Sequence, residues 1–152
     1  MDTNDLKAIK QLMAQARSTW AELGALLGLS APAAADRVRK LEETGVIKGY
    51  AALINPEAIG CGLAALISVI VESPEDRANL LKKVEELTEI QECHHVAGDV
   101  DYILKVRCAN TRALERLIST ELKSIPGVKT RTMVVLSTIK ETPILPLYLG
   151  KE

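Results

Sequence analysis

Arg37, Arg39 and Lys40 lie within four positions of one another. In a helix Arg39 and Lys40 turn away from Ala34, Val38 and Leu41, with Arg37 on a flank. Three cations so placed suit the phosphates of double-stranded DNA. The preceding residues, Ser30-Ala31-Pro32-Ala33-Ala34-Ala35, would form the end with which a recognition helix reads bases. Alanine offers thymine a methyl group and no hydrogen bond, so DNA deformability is expected to carry more of the specificity. The candidate DNA-facing set is Ser30, Ala31, Ala33, Asp36, Arg37, Arg39 and Lys40. The ordinary reading of the same face is a solvated one, with Asp36 paired to Lys40 for a few tenths of a kcal/mol.

Gly98-Asp99-Val100-Asp101-Tyr102 offers a second chemistry. Gly98 lets the backbone approach a ligand closely. Asp99 and Asp101 bring more negative charge than a tight turn needs. An ammonium group would meet a carboxylate there while free backbone amides take a carboxylate, as an amino-acid effector requires. Cys93-His94-His95 invites a metal, but in a strand only Cys93 and His95 share a side, and two ligands without a third make a poor site. No cofactor is expected. No nucleophile elbow, glycine-rich phosphate loop or HExxH motif is present, so no catalytic residue is assigned.

Helices must position the first set. Leu6, Ile9, Leu12 and Ala16 recur at helical spacing, with Thr3 or Asn4 as the cap. Thr19-Trp20-Ala21-Glu22 is a capping box, and Trp20, Leu23, Leu26 and Leu27 make the next apolar stripe. Gly28 can end that helix in the left-handed conformation and Ser30 can cap a third, whose buried face is Ala34, Val38 and Leu41. The pattern is a helix-turn-helix. Val46–Ile54 is apolar and β-prone and reads as a strand. Asn55-Pro56, Gly60 and Gly62 punctuate a linker.

The rest has another rhythm. Strands are expected at Leu63–Val71, Ile90–Ala97, Tyr102–Cys108 and Val128–Thr138. A helix capped by Ser73 is striped by Leu80, Val84 and Leu87. Another, capped by Asn110, is striped by Leu114, Leu117, Ile118, Leu122 and Ile125. This β-α-β-β-α-β order is the ferredoxin-like sandwich, giving an α+β fold with domains at 1–50 (helix-turn-helix), 51–62 (strand and linker) and 63–152. Two helices cover only one sheet face, and apolar strand residues on both faces point to self-association, a dimer or a higher assembly. Val46–Ile54 is expected to help join subunits, and the apolar tail Leu145-Pro146-Leu147-Tyr148-Leu149 to pack on a partner or back on its own sheet.

The 152 residues carry 19 Lys and Arg against 20 Asp and Glu, so net charge does not itself suggest nucleic-acid binding. Residues 1–50 hold seven cations and six anions, so one copy is expected to bind DNA weakly and symmetric doubling to multiply the contacts. Aromatics are 3%, with no Phe, which argues against base-stacking platforms for single strands. No run is long enough for a membrane span and the start is acidic and polar. Three scattered cysteines form no CxxC pair; Cys61 and Cys108 read as buried apolar residues, and a reducing cytoplasm fits.

Three stretches together resemble the Lrp/AsnC (leucine-responsive regulatory protein / AsnC) transcription regulators. They are Leu29-Ser30 with Arg37 through Tyr50 (Arg-Val-Arg-Lys-Leu-Glu-Glu-Thr-Gly-Val-Ile-Lys-Gly-Tyr), Ala97-Gly98-Asp99-Val100-Asp101-Tyr102, and Pro126-Gly127-Val128. The resemblance spans nearly the whole chain. It implies a DNA-binding helix-turn-helix, a ferredoxin-like domain sensing a small amino-acid-like effector, and dimers assembling into octamers. Ala97 stands where the family usually has Thr. Two alternatives share the architecture: a siroheme-decarboxylase-like enzyme using His94 or His95, and a ligand-binding assembly module without specific DNA binding.

Overall fold

The computed structural model describes residues 1–147. The chain forms two compact units, one of Met1–Ala52 with the residues from Lys140 onward, the other of Leu53–Ile139.

In the first unit α1 spans Thr3–Ala14, α2 Trp20–Leu27 and α3 Ala31–Glu43. Asp2, not Thr3 or Asn4, caps α1, through a reciprocal box with Asp5. Asn4 instead donates its side-chain amide to the Leu27 carbonyl at 3.4 Å, satisfying a chain end of α2. Thr19 and Glu22 form the expected box on α2, and Ser30 caps α3. Gly28 ends α2 in the left-handed region at φ 67°.

The core of this unit is Ala8, Leu12, Leu23, Leu27, Ala34 and Val38, with Leu41 also buried. Two expected stripes are corrected. Ala8 is buried where Ile9 is only half-buried, and Ala16 lies exposed beyond α1. On α2, Trp20 and Leu26 are exposed, and the buried face is Leu23, Gly24 and Leu27. The turn into α3 packs on this buried face. A Cβ on Gly24 would stand 2.7 Å from the Leu29 carbonyl oxygen, so the turn lies directly on this glycine.

Val46–Ile54 is not a strand. A strand needs a neighbour for its amides and carbonyls, and this segment has none among the described residues. The Ile47 amide bonds to the Leu41 carbonyl at 3.0 Å. The Tyr50 hydroxyl donates to Glu42 at 2.7 Å. Burial and the nearby Glu42 carboxylate push the Tyr50 hydroxyl up to about 12, so it stays a donor.

The second unit holds β1 (Leu63–Val71), α4 (Pro74–Glu86), β2 (Ile90–His95), β3 (Tyr102–Cys108), α5 (Thr111–Arg116) and β4 (Val128–Val134). All pairings are antiparallel, in the order β2-β3-β1-β4. The ferredoxin-like β-α-β-β-α-β order is thus observed. β2 and β4 end sooner than their sequences suggest, at His95 and Val134. Ala65, Ile67, Val69, Tyr102, Leu104, Val106 and Cys108 face the helices and pack on Leu80, Leu114, Leu117 and Leu122.

After Arg116 the helix widens into a π-helical stretch, Leu117–Leu122. The Lys123 amide reaches the Ile118 carbonyl at 2.9 Å. In a regular α-helix residues five apart point about 140° apart. The wider turn lets Leu117 and Leu122 both be buried.

The other sheet face is mixed, a correction to the expectation of apolar strand residues on both faces. Ala64, Leu66, Ile70, Ile103 and Met133 share it with Glu92, Lys105, Arg107, Lys129 and Arg131. Ile70 and Met133 are exposed there. Of the C-terminal apolar tail, Leu145–Leu147 is described and Leu145 is exposed; Tyr148 and Leu149 lie outside the described residues.

Candidate functional site

α3 begins where the Ser30 hydroxyl accepts the Ala33 amide at 3.3 Å. That hydroxyl is already committed to capping, and Ala31 is half-buried while Ala33 is exposed. The apolar side, Ala34, Val38 and Leu41, is buried in the unit's core, so the charged side faces outward.

The three cations have different surroundings. Arg37 is half-buried, and its Nη1 donates to Asp2 Oδ2 and to Asp5 Oδ1, each at 2.6 Å. These carboxylates raise the Arg37 guanidinium further above its ordinary value. Arg39 pairs with Asp36 at 2.7 Å, both largely exposed, so the partner of Asp36 is Arg39 and not the expected Lys40. Lys40 makes no ion pair with the described residues. An open cleft of about 520 Å³ runs beside these side chains, lined by Asp5, Ala33, Asp36, Arg37 and Lys40 among others.

The Gly98–Asp101 loop joins β2 to β3. The Asp101 amide bonds to the Val69 carbonyl at 3.0 Å and its carbonyl accepts the Val96 amide at 2.9 Å. Its carboxylate accepts the Val71 amide at 2.8 Å. Asp101 therefore has structural work, correcting the view that both acids exceed what the turn needs. Asp99 has no hydrogen bond or ion pair with any described residue, and the amides of Gly98, Asp99 and Val100 have no backbone partner among them. Gly98 sits at φ 153° with open space where a Cβ would project. Beside the loop, Tyr102 is buried at the start of β3 and stacks on His95 with ring centroids 5.0 Å apart.

Cys93 and His95 lie on one side of β2 and His94 on the other, following their partners Leu104, Tyr102 and Ile103. His94 contacts Glu92 at 3.0 Å. Burial pushes the Cys93 thiol up, away from the thiolate a metal needs. Among the described residues no three His, Cys, Asp or Glu side chains gather as a metal site. Cys108 is buried, whereas Cys61 is only half-buried.

Sequence reasoning missed Asp2 and Asp5 as partners of Arg37, because nothing local links residues 32 and 35 positions apart. It also missed the closeness of Gly24 to the turn. A glycine inside an otherwise good helix was the available signal.

A model of the Lrp/AsnC ligand binding domain matches residues 64–145, and a winged helix-turn-helix DNA-binding model matches residues 1–48. The chain is a member of the Lrp/AsnC family. It is 38% identical to the HTH-type transcriptional regulator LrpA of Mycobacterium tuberculosis, covering 91% of each chain. It is 37% identical to the leucine-responsive regulatory protein of Haemophilus influenzae, covering 97% of this chain and 90% of that one. Among solved structures, a transcriptional regulator of Neisseria meningitidis in complex with L-Met superposes with a TM-score of 0.91, at 30% identity and 96% coverage of both chains. The feast or famine regulatory protein of M. tuberculosis complexed with L-methionine gives 0.87 at 36% identity, covering 95% of this chain and 97% of that one. This Lrp/AsnC chain is a DNA-binding transcription regulator, which displaces the enzyme reading; its relatives are named as regulators. Among the described residues no helix is long and apolar enough to cross a membrane.

Proposed function

We propose that this regulator binds double-stranded DNA through α3 as an oligomer in the cytoplasm and changes its assembly when a small amino acid binds the Gly98–Tyr102 loop. The observation that carries the effector reading is the Gly98–Val100 stretch, whose amides have no backbone partner among the described residues, beside the unpaired Asp99 carboxylate. An amino acid's carboxylate matches the first and its ammonium the second. The relatives that hold L-methionine support the same class of ligand. In this reading residues 1–50 read DNA, 51–62 connect, and 63–152 sense and assemble. Ser30, Ala31, Ala33, Asp36, Arg39 and Lys40, with Arg37 on their flank, make up the DNA side, and Gly98, Asp99, Val100, Asp101 and Tyr102 the effector side.

Self-association to a dimer and on to an octamer is supported by the Val46–Ile54 segment, β-prone and without a strand partner among the described residues, and by the exposed Ile70 and Met133 on the second sheet face. A ligand at a subunit boundary acts only through its differential affinity for two assemblies. Coupling of this kind is about 1–3 kcal/mol, a graded effect on DNA affinity.

Calorimetry with a panel of free amino acids tests the site. Asp99→Ala is the informative variant, because Asp99 makes no hydrogen bond or ion pair with the described residues. Binding to wild type and its loss in Asp99→Ala is expected. Equal binding by both places the site elsewhere.

A further inference from the structure

The geometry points to Arg37 as a positioning residue that fastens the recognition helix to the start of α1, and not as a phosphate contact. This rests on α3 being the DNA reader.

Asp2, Asp5 and Arg37 form a closed ring of hydrogen bonds. The Asp2 amide donates to Asp5 Oδ2 and the Asp5 amide to Asp2 Oδ1, each at 2.8 Å. That reciprocal box uses one oxygen of each carboxylate. The other two, Asp2 Oδ2 and Asp5 Oδ1, both accept from Arg37 Nη1 at 2.6 Å. Every carboxylate oxygen is engaged, and the guanidinium nitrogen that binds them spends both its hydrogens. Charge-assisted bonds of this length are the strong ones.

Reaching a phosphate would require Arg37 to release this ring. Asp5, whose side chain is only 16% exposed, would then be left without its cation. Two carboxylates would also stand near the polyanion with nothing to offset them. Arg39 has less to give up: its pair with Asp36 is mostly exposed, a class of ion pair worth little. Lys40 has no ion pair to break among the described residues. Phosphate contact therefore falls to Lys40 and Arg39. Arg37 joins the first turn of α1 to α3 across 32 and 35 residues, a link independent of the tight turn between α2 and α3. It pre-sets the pose in which α3 meets the groove.

A salt series separates the two roles. Phosphate contacts release counterions, so losing one lowers the slope of log affinity against log salt by about 0.9 for each helix bound to DNA. A positioning residue changes affinity by the same factor at every salt concentration. The full-length protein is titrated with duplex DNA from upstream of its own coding sequence, as wild type, Lys40→Ala, Arg37→Gln, Arg37→Lys and Asp2→Asn with Asp5→Asn. Trp20, the single tryptophan, reports folding of the same unit. Lys40→Ala is expected to lower the slope. Arg37→Gln and the double Asn variant are expected to weaken binding with the slope unchanged, and Arg37→Lys to recover part of the affinity. Should Arg37→Gln unfold, Asp5→Asn alone, which keeps the Asp2 contact, is read in the same way. A lowered slope in Arg37→Gln, or tighter and more salt-dependent binding in the double Asn variant, overturns the proposal. Unchanged binding in both Lys40→Ala and Arg37→Gln rejects α3 as the reader, and the proposal with it.

Discussion

Asp99 and Asp101 stand two positions apart and have opposite employment. The Asp101 carboxylate accepts the Val71 amide at the end of β1, in a partly buried place. Hydrogen bonds to charged groups contribute about 1.5–3 kcal/mol. Asp101→Ala should lower the unfolding free energy of the second unit by about that amount in urea denaturation, and Asp99→Ala should leave it unchanged. If the two variants lose stability equally, the Val71 contact is not what distinguishes them. The acids of the first unit set a pH dependence. The Thr19 amide holds the Glu22 carboxyl below its ordinary value of 4.5, and the Asp5 amide, followed by Arg37, holds Asp2 below 3.8. A carboxyl whose folded value is depressed binds fewer protons folded than unfolded, so its stabilisation is present above the unfolded value and is lost as pH falls through the folded one. Trp20 fluorescence should therefore show the unit weakening below pH 4.5 and further below pH 3.8, and Glu22→Gln should remove the upper part of that loss.

Helix α2 is where an element's own propensity and its packing disagree. Replacing a mid-helix glycine by alanine ordinarily stabilises by about 1 kcal/mol. At Gly24 the new methyl would meet the Leu29 carbonyl oxygen at 2.7 Å and the Ala31 amide nitrogen at 3.2 Å. Both are backbone atoms of the turn that launches α3, so neither can rotate away. Overpacking costs about 1–3 kcal/mol, which outweighs the propensity gain. Gly24→Ala should thus lower the melting temperature of the first unit and weaken DNA binding, by calorimetry and gel shift. A raised melting temperature would show that the turn can yield. The π-helical stretch makes a similar point in the second unit: Leu117 and Leu122 are buried because the helix widens between them.

For the whole molecule, the uncovered surfaces matter most. Leu53 is 78% exposed and Ile54 59%, in a segment whose backbone joins no sheet among the described residues. A second copy would supply both a strand neighbour and apolar cover. Leu53→Lys with Ile54→Lys should shift the assembly to lower mass in light scattering, with unchanged melting of each unit. A mass of 16.5 kDa for wild type at micromolar concentration would contradict the proposed oligomer.

The capping residues Thr19, Ser30, Ser73 and Asn110 are legible in the sequence because each accepts the amide three positions ahead. Such a bond depends on local chain geometry alone. The alternation Tyr102, Leu104, Val106, Cys108 is equally legible, since a strand with one buried face repeats every second residue. Helix-turn-helix and β-α-β-β-α-β follow from strings of such local signals. What Arg37 and Asp101 do was not legible. A cation beside a DNA-facing edge and an acid in a loop read the same whether free or bound, and their partners lie 30 or more residues away. Val46–Ile54 shows the converse. Its β propensity is local and real, but a strand exists only where another backbone accepts its hydrogen bonds, and among the described residues of one copy the fold places none beside it.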